Sequence, residues 1–136
     1  MEVPLPITFE VDSARKTVFA QATGVLTKED IFAYQNALQT STELMYFNEC
    51  VDLSAAADVT DATDENMMEL AGLAVQLDDP AQPTRLAIVV NSDLHYGLAR
   101  MYEAYRSVQP KSVRQVSVFR SREEALRWLE AEGPVC

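Results

Sequence analysis

The stretch RLAIVVNSDLHYGLARMYEAY, residues 85–105, decides the fold class of this chain. Residues 86–90 form a continuous apolar run of strand length, which is typical of a strand buried on both faces in the middle of a sheet. Asn91, Ser92 and Asp93 follow, and all three are residue types that favour a helix N-terminus. Apolar residues then recur at helical spacing and form the stripe that we expect this helix to bury: Leu94, Leu98, Met101 and Tyr105. The stretch therefore predicts one strand–turn–helix unit.

The segments before this unit predict two strands, a helix, a third strand and a second helix. Residues 7–12 alternate between apolar and polar, and residues 17–26 are rich in β-branched types, so the two should pair as a hairpin. Thr27 and Asp30 have the spacing of a capping box, which predicts a helix from Thr27 to about Ser41. Residues 47–53 predict the third strand and residues 54–61 a loop, and the next helix should begin near Thr63.

After the unit, residues 113–119 predict the last strand, and Ser121 with Glu124 predicts a capping box that opens the last helix. The element order is therefore β-β-α-β-α-β-α-β-α, which indicates an α/β fold with a mixed five-stranded sheet. The outer strands each carry one polar row, such as Thr8 with Glu10 or Gln115 with Ser117. A doubly wound sheet would bury both faces, so we expect the helices mainly on one face.

Composition indicates an ordinary globular protein, because 48% of its 136 residues are hydrophobic and 24% are charged. We expect a single domain over residues 1–136. The start, MEVPLPITFE, lacks the basic and apolar regions of a secretory signal, and no apolar run reaches membrane-spanning length, which predicts a cytoplasmic protein without membrane insertion. The two cysteines, Cys50 and Cys136, have neither disulfide-framework nor metal-ligand spacing, and Cys50 is expected to be a small buried side chain.

The net charge of −10 argues against nucleic acid as a partner, since a polyanion would be repelled on average. The charge is unevenly distributed: residues 43–79 hold ten acids and no base, whereas residues 100–122 hold six bases and one acid. These segments are either solvated faces of one fold that partly neutralise each other, or surfaces through which the protein forms a homo-oligomer or binds a protein partner.

Four segments together resemble a known family: GVLTKEDI at 24–31, ECVDLSAAADV at 49–59, RLAIVV at 85–90 and VSVFRSREEALRWL at 116–129. They are similar to STAS domains, specifically to the SpoIIAA-like branch of small stand-alone bacterial proteins. The resemblance covers nearly the whole chain, and it implies a short α/β fold similar to anti-sigma-factor antagonists and related to lipid-carrier folds.

In the antagonists, the helix after the third strand starts Asp-Ser-Ser-Gly, and the first serine is the phosphorylation switch. Here the matching residues are Asp61, Ala62, Thr63 and Asp64, so the switch position has no hydroxyl and an acid replaces the glycine. Thr63 has a hydroxyl at a helix start, but the neighbouring Asp64 and Glu65 would repel a phosphate. We therefore expect Thr63 to be a helix N-cap rather than a phosphorylation site.

Two further groups of residues are candidate ligand or partner sites. His95, Tyr102 and Arg106 fall on one helical face, which either lines a cleft or interface or is simply solvated. Asp52 and Ser54 end the third strand, where open α/β sheets usually bind ligands, although hydrogen bonding at a strand end also explains them.

An enzyme is not predicted, because one histidine and four dispersed glycines give neither a metal cluster nor a phosphate loop. We expect no cofactor and no metal. The favoured function is a regulatory or protein-binding domain that acts through the loop after the third strand and the following helix. The alternative is a carrier of a small apolar or lipid-like ligand, held between the sheet and side chains that equally suit a plain core: Met67, Met68, Met101, Tyr102 and Tyr105.

Overall fold

The computed structural model describes residues 7–41, 43–59, 64–76, 84–108 and 114–130. In these ranges it contains seven strands, four α-helices and one short 3-10 helix at Leu44–Tyr46. The strands are β1 (Ile7–Asp12), β2 (Thr17–Ala22), β3 (Gly24–Leu26), β4 (Asn48–Asp52), β5 (Ala56–Val59), β6 (Thr84–Val89) and β7 (Arg114–Phe119). The α-helices are α1 (Lys28–Gln39), α2 (Asp64–Gln76), α3 (Asp93–Ser107) and α4 (Arg122–Glu130).

The main sheet has five strands in the order β1-β2-β4-β6-β7. Strands β1 and β2 pair antiparallel as the predicted hairpin, and the remaining neighbours in this sheet pair parallel. All six residues of β6 are buried, as the apolar run predicted for an interior strand. The mixed five-stranded α/β sheet is therefore confirmed.

The strand predicted at residues 17–26 is wrong in one respect, because it divides into β2 and β3. Gly24 has a positive φ of 70°, a conformation that residues with a Cβ rarely adopt, and the pairing register shifts between Gly24 and Val25. The chain leaves the main sheet there, and β3 pairs parallel with β5 as a separate two-stranded sheet. The loop predicted at residues 54–61 is likewise wrong over Ala56–Val59, which forms β5.

The helices lie mainly on one face of the main sheet, as predicted. Two hydrophobic clusters join α1, α2 and α3 to one face, through side chains such as Val18, Leu86 and Ile88. The opposite face is covered by α4, whose Ala125 and Leu129 pack against Cys50, Ala87 and Val89. Within the described ranges α4 is the single helix on this second face, which explains why the outer strands carry one polar row each.

Helix N-termini follow the predicted capping residues where the structure describes them. Thr27 and Asp30 form the full capping box of α1, with hydrogen bonds of 3.1 and 3.0 Å. Ser92 caps α3 by accepting a hydrogen bond from the His95 N–H at 3.1 Å. Ser121 Oγ accepts one from the Glu124 N–H at 3.4 Å. The N-cap prediction for Thr63 lies outside the described residues.

The apolar stripe predicted on α3 is only partly buried. Leu94 is 65% exposed, and the buried residues of this helix are His95, Ala99, Tyr102 and Arg106. Leu98, Met101 and Tyr105 are half-buried, so the helix is rotated by about one residue from the predicted orientation. Tyr102 and Arg106 can face inward because they bond each other: Arg106 donates to the Tyr102 hydroxyl at 3.0 Å.

Candidate functional site: a pocket between the sheet and three helices

Helices α1, α2 and α3 and the sheet face beneath them enclose a partly open pocket of about 110 Å³. Most of its lining is apolar: Ile7, Leu26, Ile31, Val51, Leu53, Met67, Leu70, Leu86, Ile88, Leu98 and Ala99. Six residues bring polar groups to the same wall: Tyr34, Gln35, Glu49, His95, Tyr102 and Arg106. An apolar cavity with a few polar groups is the usual composition of a small-molecule site.

The buried ion pair of Glu49 and Arg114 fixes one side of the pocket. Both residues lie on inward-facing positions, Glu49 on β4 and Arg114 at the start of β7, and both are buried. Arg114 donates hydrogen bonds to the Glu49 carboxylate and to Thr84 Oγ1 on β6, and its guanidinium also approaches the Phe47 carbonyl oxygen at 3.4 Å. These contacts join three strands of the sheet.

Tyr34 completes this side by donating its hydroxyl proton to Glu49 Oε2 at 2.7 Å. Burial raises the pKa of Tyr34 well above its usual value, and the Glu49 carboxylate beside it adds to the effect. The phenol therefore stays protonated and remains a hydrogen-bond donor at neutral pH.

A second polar group centres on the Tyr102 hydroxyl of α3. It accepts hydrogen bonds from Gln35 Nε2 on α1 at 2.7 Å and from Arg106 at 3.0 Å. Arg106 is only 2% exposed, so a permanent positive charge lies in the pocket wall. These bonds tie α1 to α3 across the pocket.

Of the seven predicted site residues, the structure describes five, and these five do not come together. His95, Tyr102 and Arg106 all line the pocket. Asp52 alternates with the inward-facing Glu49 and Val51 and so points to the opposite face of the sheet, where its Oδ1 accepts hydrogen bonds from the Ser54 N–H at 2.9 Å and the Ser54 hydroxyl at 2.5 Å. Asp61 and Thr63 lie outside the described residues.

Sequence reasoning missed four polar residues around the pocket: Tyr34 as a donor, Gln35, Glu49 and Arg114. A signal was present for the ion pair. Glu49 alternates with Val51 and Leu53, and Arg114 alternates with Val116 and Val118, so both strands place one charge among inward-facing apolar residues. Opposite charges at such positions indicate a buried pair. The basic stretch at residues 100–122 was expected at the surface, and for Arg106 and Arg114 this is wrong.

Within the described ranges, no group of three or more His, Cys, Asp or Glu side chains is placed to hold a metal ion. Over the same residues, none of the helices has the length and apolar character needed to cross a membrane. Cys50, on the face covered by α4, is a buried free thiol whose pKa is raised to about 11, chiefly by burial.

Among solved structures, the chain is similar to an uncharacterized protein of the DUF3478 family from Shewanella loihica PV-4 that is described as having a SpoIIAA-like fold. The match covers 95% of this chain and 98% of that chain, with a TM-score of 0.59 and 16% sequence identity. No protein-family model and no curated protein matches the chain. At this identity the similarity concerns the fold alone, and it agrees with the resemblance seen in the sequence. The chain therefore has a SpoIIAA-like fold.

Proposed function

We propose that this protein binds a small, mostly apolar molecule in the pocket between the sheet and helices α1, α2 and α3. The observation that carries the proposal is the pocket itself, a partly open space of about 110 Å³ with a mainly apolar lining. Protein interiors are packed closely, and voids larger than a water molecule are few. An apolar cavity of roughly 150 Å³ holds benzene, so this space suits the body of a molecule with about the size of one ring.

The side chains that the sequence suggested for a carrier divide between pocket and surface. Met67 and Tyr102 line the pocket, and Met101 and Tyr105 pack against the same hydrophobic cluster from partly buried positions. Met68 is about half exposed and takes no part in the lining. The carrier function thus rests on the enclosed geometry and on two of these five residues.

A pair of matched variants tests the proposal. Ala99 lines the pocket on α3, whereas Ala104 on the same helix is exposed. Ala99→Leu adds three carbon atoms inside the space, and Ala104→Leu adds the same three carbon atoms outside it. At ten times its dissociation constant, a ligand should stabilise the folded protein by about 1.4 kcal/mol.

The assay is thermal unfolding with and without a small apolar probe, toluene, together with ligand-observed NMR. We expect toluene to raise the Tm of the wild type and of Ala104→Leu by a few degrees and to leave that of Ala99→Leu unchanged. Equal shifts in all three proteins would place binding elsewhere, and the absence of binding to the wild type would reject the proposal.

A regulatory function through protein contacts is the second candidate, and the exposed surface of α2 favours it. Met68 is 51% exposed, and it lies between the exposed acids Glu65 and Glu69. An exposed methionine with acidic neighbours suits an adaptable contact with a basic partner surface. This is also the helix after the third predicted strand, through which the sequence favours partner contacts.

Met68→Asp tests this second function, and Leu94→Asp on α3 is its control because Leu94 is also exposed. The immobilised wild type should retain partner proteins from an extract of its own cells. Immobilised Met68→Asp should fail to retain them, and immobilised Leu94→Asp should retain them. Retention that is the same for all three proteins would contradict a contact through α2. Neither function requires a chemical reaction on the bound molecule.

A further inference from the structure

The polar atoms in the pocket wall restrict which molecule it accepts, and this inference rests on the proposed ligand-binding function. Most of these atoms already have partners: the Tyr34 hydroxyl donates to Glu49, Glu49 is paired with Arg114, and the Tyr102 hydroxyl accepts from Gln35 and from Arg106.

Gln35 Oε1 and His95 Nδ1 are buried atoms of pocket residues that have no hydrogen-bond partner among the described residues. His95 is only 6% exposed, and both Gln35 and His95 line the pocket. Buried polar groups in folded proteins are nearly always hydrogen-bonded. Two atoms without a partner on residues that line a pocket therefore point to hydrogen bonds with a bound molecule.

The chemistry of these two atoms selects the complementary group. A carbonyl oxygen such as Gln35 Oε1 only accepts hydrogen bonds, so the molecule must supply a donor there. The imidazole nitrogen of His95 either donates or accepts, depending on its tautomer. A hydroxyl group both donates and accepts, and it therefore suits either atom.

The charges in the wall exclude the ionised alternatives. The Arg106 guanidinium opposes an ammonium group, because like charges repel strongly where water is excluded. The Arg106 guanidinium would attract a carboxylate, but a carboxylate has acceptors only and so leaves Gln35 Oε1 without a donor. We infer that the bound molecule is an uncharged, compact apolar molecule that carries a hydroxyl group, held by Gln35 Oε1 or His95 Nδ1.

Four probes with the same aromatic body test the inference: toluene, benzyl alcohol, benzoate and benzylamine. Dissociation constants are measured by NMR titration on the wild type. One or two hydrogen bonds of ordinary net strength correspond to about a five- to thirtyfold difference in affinity. The dissociation constant of benzyl alcohol should be lower than that of toluene by this factor. Benzoate and benzylamine should both bind more weakly than benzyl alcohol.

Two variants of similar shape identify the bonding atom, Gln35→Met and His95→Phe. One of them should abolish the preference for benzyl alcohol and leave toluene binding unchanged, and Ala99→Leu should weaken both probes. The ranking of the four probes on the wild type decides the question even where a variant does not fold.

The outcomes separate the two claims. The hydroxyl inference is overturned if toluene binds as tightly as benzyl alcohol, or if benzoate or benzylamine binds tightest. Either result leaves apolar ligand binding intact. A preference for benzyl alcohol that survives in both variants also overturns the assignment to these two atoms. A wild type that binds neither toluene nor benzyl alcohol overturns the proposed function itself.

Discussion

Replacement of Arg114 by methionine should destabilise the protein far more than a typical arginine substitution. Methionine keeps an unbranched apolar chain and removes only the guanidinium, which bonds Glu49 on β4 and Thr84 on β6. After the change, Glu49 keeps the Tyr34 hydroxyl as its partner but has lost the positive charge beside it. A buried carboxylate without its counter-charge is the costly state.

The expected cost is about 3–5 kcal/mol, the usual penalty for breaking a buried pair by removing one partner. With a urea dependence of about 2 kcal/mol per M, the midpoint of unfolding should fall by roughly 1.5–2.5 M. The control is Arg100→Met, because Arg100 is exposed and its 3.3 Å pair with Glu103 is a surface pair. Surface pairs contribute at most about 1 kcal/mol, so the control should lose no more than that.

A double variant, Arg114→Met with Glu49→Leu, separates the lost charge from lost packing. Removal of both charges leaves no unpaired ion, so the double variant should be more stable than Arg114→Met alone. The assay is urea unfolding at pH 7 followed by circular dichroism. The reasoning fails if Arg114→Met costs as little as Arg100→Met, or if the double variant loses the sum of the two single losses.

Four further predictions concern other parts of the chain. Ile88→Ala should cost about 2–5 kcal/mol in urea unfolding, near the lower end because Ile88 already borders the pocket, and a loss under about 1 kcal/mol would contradict its interior position. Cys50 should resist thiol reagents in the folded protein, measured in a Cys136→Ser background. Burial raises the pKa of the Cys50 thiol from 9.0 to about 11, so the thiol is more acidic in the unfolded protein than in the folded one. The free energy of unfolding should therefore fall between about pH 9 and 11, and Cys50→Ala should remove this fall; rapid modification at pH 8 would refute the prediction. Thr63→Ala should cost about 1 kcal/mol and Thr63→Asn much less if Thr63 is an N-cap, and stoichiometric phosphate on Thr63 from its own cells would argue for a switch. Self-association through the exposed Arg100, Arg120 and Arg122 should weaken as salt rises, and sedimentation as a monomer at both low and high salt would rule it out.

The parts of the fold that depend on apolar pattern and capping were predictable from the sequence. The run at residues 86–90 predicted an interior strand, and Thr27 and Ser92 marked the starts of α1 and α3. These signals are local, because an N-cap hydroxyl accepts a hydrogen bond from a backbone N–H three residues later and needs no partner from elsewhere in the chain. The division at Gly24 was not recognised, because the β-branched pattern continues on both sides of the glycine.

The candidate site was predictable only in part, because its polar residues depend on partners distant in sequence. His95, Tyr102 and Arg106 were grouped correctly by helical spacing, but their burial depends on partners such as Gln35, which is 67 residues from Tyr102. Arg114 was assigned to a basic surface because its partner Glu49 is 65 residues away. An apolar stripe alone therefore oriented α3 wrongly, since a polar side chain that finds a buried partner competes for the inward position.

The unequal covering of the two sheet faces has a consequence for how the molecule opens. Helix α4 has nine residues and is the one helix in the described part of the chain that covers Cys50, Ala87 and Val89, whereas three longer helices hold the first face. Detachment of α4 leaves the packing on the first face in place, so it requires less free energy than global unfolding. Amide protons of α4 should therefore exchange with solvent through a local opening, while those of β6 should exchange only when the whole sheet comes apart. The two faces of one sheet would then belong to separate cooperative units.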